Sequence, residues 1–100
     1  MSEIRLTGDR EIRRAATVHG RVQGVSFRWY TREQADRLGL VGWIRNQADG
    51  TVRLEVQGPA DAVEALLEWV GHGPPAAHVS GVDVADRPVT DTDADFRITH

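Results

Sequence analysis

The segment Gly20-Arg21-Val22-Gln23-Gly24-Val25-Ser26-Phe27-Arg28 carries the residues best suited to chemistry. Two glycines in a loop that feeds a helix let successive backbone N–H groups aim at one point, and the helix dipole adds positive potential there. Such a loop holds an anion. Many strand–loop–helix turns contain two glycines for structural reasons alone, so the loop by itself leaves both readings open. Arg28 falls in the first helical turn, where a cation opposes the macrodipole by about 0.3–1 kcal/mol. A bound anion removes that penalty and accepts the paired N–H groups of the guanidinium. An Arg that swings outward into water is the alternative. Asn46 is the second residue of interest. Its strand spacing gives it a core-facing slot, where an amide must find partners or line a cavity. The alternative there is an Asn that satisfies the nearby turn.

Other residues invite chemistry less. His19 stands beside the loop as a packing or hydrogen-bonding residue. His72, His78 and His100 form no metal-ligand spacing. Asp91, Asp93 and Asp95 alternate without the full calcium loop and its closing Glu, and are expected to form a solvated acidic loop. Ser26 is a candidate N-cap with no partner pattern for a nucleophile. Trp43 and Trp69 read as packing residues, and Trp29 either rims the site or sits exposed.

These residues need elements to position them. Ile12 to His19 is expected to be a strand with Ile12, Ala16 and Val18 on one face. Phe27, Tyr30, Thr31, Ala35 and Leu38 then recur at helical spacing, between Ser26 at the N-cap and Gly39 past the end. Val41 to Gln47 and Thr51 to Gln57 are expected to be strands joined at Ala48-Asp49-Gly50. A three-residue loop with Gly50 left-handed pairs Ile44 with Leu54, Asn46 with Val52 and Gly42 with Val56, which keeps the apolar residues together. Pro59 suits the first position of a second helix, whose stripe is Val63, Leu66, Leu67 and Val70 and which Gly71, Gly73, Pro74 and Pro75 stop. His78 to Val84 is expected to be a fourth strand with Val82 and Val84 inward. A polar stretch from Asp86 to Asp95 follows, and Phe96-Arg97-Ile98 closes the sheet. The order β-α-β-β-α-β predicts an α+β, ferredoxin-like plait: a four- to five-stranded, mostly antiparallel sheet with two helices on one face. Residues 1–11 are expected to be a flexible tail and residues 12–100 a single domain.

With the motifs in place, the chain closely resembles the acylphosphatase family, small enzymes that hydrolyse carboxyl phosphates. The resemblance rests on Gly20-x-Val22-Gln23-Gly24-Val25-x-Phe27-Arg28, then Ala35, Gly39-Leu40-x-Gly42-Trp43-Ile44-x-Asn46, Asp49-Gly50-x-Val52 and Gly58. It runs from about Val18 to the C-terminus and is weakest after Gly71. It implies the same plait. It also implies that backbone amides of Gln23, Gly24, Val25, Ser26 and Phe27 cradle a phosphate that Arg28 binds, and that Asn46 positions the attacking water. The substrate would be a small-molecule acyl phosphate, with inorganic phosphate as product and inhibitor, no cofactor or metal, and a monomeric enzyme. Gln47 stands where many relatives have a hydroxyl residue, and Thr99-His100 where relatives often carry basic and aromatic residues.

Composition is consistent with this and narrows the rivals. The chain has 100 residues, 40% apolar and 27% charged, without cysteine. That fits one globular domain and excludes disulfides, thiolate metal sites and a cysteine nucleophile. Its net charge of −3 combines an Arg-rich first half with an acidic second half. A nucleic-acid binder would be more basic, and the aromatic stacking motif of a ferredoxin-like RNA-binding domain is missing. No apolar run approaches a membrane span and the N-terminus lacks an apolar leader, so no membrane partner and a cytoplasmic location are expected. The remaining rival is a catalytically silent ferredoxin-like module that binds an anion or a partner. The pair Arg28 and Asn46 argues against it.

Overall fold

The computed structural model describes residues 10–100; most of the expected N-terminal tail falls outside them. The elements follow in the order β1 (Glu11–Arg21), α1 (Phe27–Arg37), β2 (Val41–Asn46), β3 (Val52–Pro59), α2 (Ala60–His72), β4 (His78–Arg87) and β5 (Phe96–Ile98). The strands make one five-stranded sheet in the order β4-β1-β3-β2-β5. Every neighbouring pair is antiparallel except β2–β5, which is parallel. The expected α+β plait is the fold observed.

Period-2 alternation decides which strand face is buried. Ala16 and Val18 of β1, Ile44 of β2, and Val52, Leu54 and Val56 of β3 are buried together. Helix α1 adds Phe27 and Ala35 to this cluster, and α2 adds Val63, Leu66 and Val70. Thr31 is also fully buried, its hydroxyl donating to the Phe27 carbonyl at 2.8 Å, so the side chain carries no unmet donor into the core. Tyr30, expected on the same stripe, is 39% exposed. Helix α1 packs through the row Phe27, Thr31, Ala35, spaced by four, which leaves the i+3 position at the rim.

The β2–β3 hairpin has the expected register, with Ile44 opposite Leu54, Asn46 opposite Val52 and Gly42 opposite Val56. Gln47 N–H donates to the Thr51 carbonyl at 2.8 Å, which closes a three-residue loop. Helix α1 ends as expected at Gly39. Leu40 N–H reaches the Ala35 carbonyl and Gly39 N–H that of Asp36, the paired bonds of a Schellman ending.

Several boundaries differ from expectation. Pro59 has ψ 140° and precedes α2 as its N-cap instead of filling its first turn. Gly71 lies inside α2, because the buried Val70 holds that turn against the sheet; Gly73, with φ 71°, ends it. β4 continues to Arg87, and Val84 is 48% exposed because it stands on an edge strand past the core cluster.

β4 and β5 occupy opposite edges of the sheet, so residues 88–95 must cross it. Here the expected solvated acidic loop is corrected at Asp93, while Asp91 and Asp95 are exposed as expected. The Asp93 side chain is only 4% exposed. It accepts hydrogen bonds from Arg13 at 2.8 Å and from Arg97 at 2.9 Å. Burial works to raise the Asp93 pKa, but the bonds and charges of Arg13 and Arg97 outweigh it and hold it below the ordinary aspartate value. Gln57 adds a second clamp, donating to the Thr90 carbonyl at 2.7 Å and accepting from Thr90 N–H at 2.9 Å. The crossing segment is thereby fastened to the face away from the helices, and it delivers β5 alongside β2.

Candidate active site

The loop between β1 and α1 begins with an irregularity. The pairing of β1 with β4 shifts register between His19 and Gly20. A Cβ at Gly20 would lie 2.1 Å from the His78 carbonyl oxygen, so only glycine allows the strands this close. β1 stays paired with β4 beyond this irregularity, through Arg21, and the loop leaves the sheet after it. Gly24 follows with φ 75° and Ser26 with φ 59°, ψ 26°. Gly24 needs glycine for its backbone and not for space, since nothing lies within 4 Å of a Cβ there. Left-handed residues alternating with ordinary ones fold successive amides into a concave nest. Ser26 occupies the N-cap position with a left-handed backbone, and its side chain makes no capping bond.

One cleft of about 390 Å³ opens above this nest. Gly24, Ser26, Phe27 and Arg28 line it from the loop and the start of α1, Asn46 from the end of β2, and Ile98 from β5. Val22 and Trp29 complete the wall. Arg28 and Asn46, separated by eighteen positions in sequence, are therefore brought to one place. Arg28 Nη1 donates a long 3.4 Å bond to the Thr99 carbonyl just past β5. Asn46 Oδ1 is buried and has no hydrogen-bond partner among the described residues. A buried amide oxygen without a partner costs about 1–3 kcal/mol, which singles out Asn46 Oδ1 as an open acceptor at the cleft.

Gln23 and Val25 contribute backbone to the loop, but their side chains serve elsewhere. Val25 packs against the core. The Gln23 amide reaches across to the hairpin, where Nε2 donates to the Gln47 carbonyl at 2.7 Å and the Thr51 carbonyl at 2.8 Å. The nest is thus tied to the turn that immediately follows Asn46. That turn is itself locked. Asp49 Oδ1 accepts from Thr51 N–H at 3.0 Å and from Thr51 Oγ1 at 2.6 Å, and Gln47 Nε2 donates to Thr51 Oγ1 at 2.9 Å. The Thr51 hydroxyl bond, followed by its N–H bond, holds the Asp49 carboxyl below its ordinary pKa. Gln47 belongs to this lock.

The sequence reading missed the Gln23 side-chain clamp and the contact of Thr99 with Arg28. An amide side chain inside a glycine loop is a signal for the first, since it has both donor and acceptor to spend. Nothing in the residue type signals the second, which uses a backbone carbonyl. His19 donates one bond from Nε2 to Asp83 Oδ2 at 2.8 Å on the exposed edge, as a hydrogen-bonding residue. Trp69 packs against Phe27 with ring centroids 6.2 Å apart, and Trp43 lies under the Arg45 guanidinium at 5.1 Å. Among the described residues, no three His, Cys, Asp or Glu side chains cluster to hold a metal ion, and no helix is long and apolar enough to cross a membrane.

Comparison with known proteins points the same way as the geometry. The acylphosphatase family model matches residues 14–98. An acylphosphatase of Salinibacter ruber is 50% identical over 88 residues, covering 88% of this chain and 93% of the relative. The structure of an acylphosphatase from Coxiella burnetii superposes with a TM-score of 0.84 at 42% identity, over 89% of this chain and 93% of the other. The crystal structure of acylphosphatase from Bacillus subtilis gives a TM-score of 0.85 at 32% identity, over 89% and 99%.

Proposed function

This chain belongs to the acylphosphatase family and is a hydrolase acting on acyl phosphates, and we propose that it works by holding the phosphoryl group in the nest while Asn46 aims a water at phosphorus. The backbone amides of Gln23, Gly24, Val25, Ser26 and Phe27 and the guanidinium of Arg28 bind the phosphoryl oxygens. The Asn46 side-chain amide binds the water. The observation that carries this reading is the convergence of the nest, Arg28 and the unpartnered Asn46 Oδ1 on one cleft.

The chemistry asks for little more. The water oxygen forms a bond to phosphorus as the bond from phosphorus to the acyl oxygen breaks, and the carboxylate departs with the electron pair. A carboxylate is a good leaving group, since carboxylic acids have pKa values near 4, so it needs no general acid. The transition state is loose and chiefly requires alignment and charge stabilisation. Preorganised amides and a bidentate Arg supply the second, and Asn46 supplies the first. The proton of the water passes to a phosphoryl oxygen. Inorganic phosphate, the product, fits the same nest and competes with substrate. The same likeness supports a monomer acting in the cytoplasm on a small-molecule substrate, with residues 12–100 as the working domain, no cofactor and no nucleic-acid or membrane partner.

The test is hydrolysis of acetyl phosphate against an alkyl phosphate monoester, each with and without EDTA. Acetyl phosphate alone is expected to turn over, at a rate EDTA does not change. Equal turnover of the monoester, or loss of activity in EDTA, overturns the proposed mechanism.

A further inference from the structure

The face of the sheet away from the helices carries arginines in two different settings. At one end lies the crossing segment, fastened to Arg13 and Gln57. The arginines there have acids within 4 Å: Arg13 pairs with Glu55 and Asp93, Arg97 with Asp93, and Arg87 with Glu55. Toward the β2–β3 turn, Arg45 stands directly opposite Arg53. Arg53 in turn stands opposite Thr17 of β1, and Thr17 opposite Asp83 of β4, so the four side chains form one row across the sheet. Their chain neighbours Ala16, Val18, Ile44, Val52 and Leu54 are buried in the core, which puts this row on the open face. Arg45 is exposed and Arg53 half-buried. Among the described residues neither forms an ion pair. Arg53 Nη1 donates to Thr17 Oγ1 at 3.3 Å, and the Arg45 guanidinium lies over the Trp43 ring at 5.1 Å. Asp83 and Glu55 are engaged elsewhere, with His19 and Arg13, each at 2.8 Å.

We infer that Arg45 and Arg53, with the Thr17 hydroxyl, form a second anion site, separate from the nest, for the diphosphate group of a small molecule. Like charges directly opposite each other in a sheet are destabilising, with Cβ atoms roughly 4.5–5.5 Å apart. An anion held between the two guanidinium groups turns that repulsion into attraction for both. Each guanidinium offers a planar fork of N–H donors that matches phosphate oxygens. Two forks side by side suit two linked phosphoryl groups, whereas a single carboxylate fills only one. Thr17 Oγ1 accepts from Arg53, so its own hydrogen remains to donate to the same anion. The Trp43 ring under Arg45 limits the freedom of that side chain, so less ordering is needed on binding. Asn46, next to Arg45 in the chain, points to the other face, so an anion here does not enter the cleft.

The experiment titrates pyrophosphate into nitrogen-15-labelled protein at low ionic strength and follows individual N–H signals by NMR. The backbone signals of Arg45 and Arg53 and the indole signal of Trp43 report this site, and those of Gly24 and Ser26 report the nest. In the wild type the Arg45 and Arg53 signals are expected to shift to saturation. Arg45→Gln and Arg53→Gln are each expected to weaken binding at this site about tenfold, the scale of one hydrogen bond to a charged group. The titration of the nest signals and the turnover of acetyl phosphate are expected to stay as in the wild type, and a thermal melt confirms that the variants fold. A parallel titration with ADP separates the sources of the diphosphate: affinity equal to that of pyrophosphate assigns the site to the diphosphate group alone, and tighter binding with a larger Trp43 shift assigns it to a nucleotide. Absence of a saturating shift at Arg45 and Arg53, or an affinity there that both substitutions leave unchanged, overturns the inference.

Discussion

Truncating the Gln23 side chain unties the two halves of the site while leaving the Gln23 backbone amide in the nest. Its Nε2 is the donor for both bonds between the nest and the hairpin, to the Gln47 and Thr51 carbonyls. In Gln23→Ala both are lost. The two carbonyls keep other donors, Gly50 N–H at 3.1 Å and Gln47 N–H at 2.8 Å, so neither is left unmet. The stability loss is then the net value of two hydrogen bonds, about 1 kcal/mol each or about 2 kcal/mol together. For a 100-residue domain that lowers Tm by roughly 8–16 °C. The functional loss has a different origin. In the proposed mechanism the nest holds the phosphoryl group while the hairpin end holds Asn46, so the clamp sets their separation. A misplacement of 1 Å costs about 10²-fold in rate, so kcat is expected to fall roughly 10–100-fold at a temperature where the variant is folded. The inhibition constant for inorganic phosphate should move only a few-fold, because Arg28 and the loop amides remain. Gln23→Glu is the sharper variant. It has the same shape, sets a carboxylate oxygen against two carbonyl oxygens, and is expected to be worse than Ala in both Tm and kcat. Steady-state kinetics and thermal melts on both variants read these effects. A folded Gln23→Ala with kcat within twofold of wild type would refute the idea that this clamp sets the geometry.

Two further substitutions probe other parts of the structure. Arg28→Lys keeps the charge but loses the planar fork, so activity should nearly vanish and inhibition by inorganic phosphate should weaken while the fold persists; phosphate that inhibits the variant as strongly as wild type removes Arg28 from phosphate binding. Asp93 has a folded pKa below its unfolded one, so its stabilisation is present above the unfolded value of about 3.9 and is lost as pH falls through the folded value. Asp93→Asn should therefore melt lower than wild type at neutral pH, with the gap closing as pH falls below about 4; a gap independent of pH contradicts the ion-pair account.

Local pattern made most of the fold legible. The alternation of Val52, Leu54 and Val56 against Ile44, with Gly50 in the turn, fixed the hairpin register to the residue, since a one-residue slip would have pointed Asn46 and Ile44 to opposite faces from their partners. Glycine position and helical spacing likewise gave α1 and its ending at Gly39. What the pattern did not contain were tertiary decisions. Asp93 looks like its neighbours Asp91 and Asp95, and only the crossing from one sheet edge to the other places it over Arg13. Val84 continues an alternation that the edge of the sheet does not honour. At the site, residue type and order pointed to the loop, Arg28 and Asn46, because a cation at a helix start and an amide at an inward position both conflict with ordinary packing. The Gln23 clamp and the Thr99 contact depend on which carbonyls the fold brings near, and no residue type announces that.

The claim at the centre of this account is a division of labour, in which the nest and Arg28 hold phosphate and Asn46 acts on the water. Measuring kcat and the phosphate inhibition constant of Asn46→Ala, on protein shown to be folded by its thermal melt, tests it most directly. A group that acts mainly in the transition state lowers kcat and leaves ground-state binding alone. Loss of one such positioned group costs about 3–4 kcal/mol, by the scale of oxyanion-hole deletions, or on the order of 10²–10³-fold. The account predicts that fall in kcat with a nearly unchanged phosphate inhibition constant. Normal turnover in a variant that only melts earlier would show that Asn46 merely supports the Ala48-Asp49-Gly50 turn, and would contradict it.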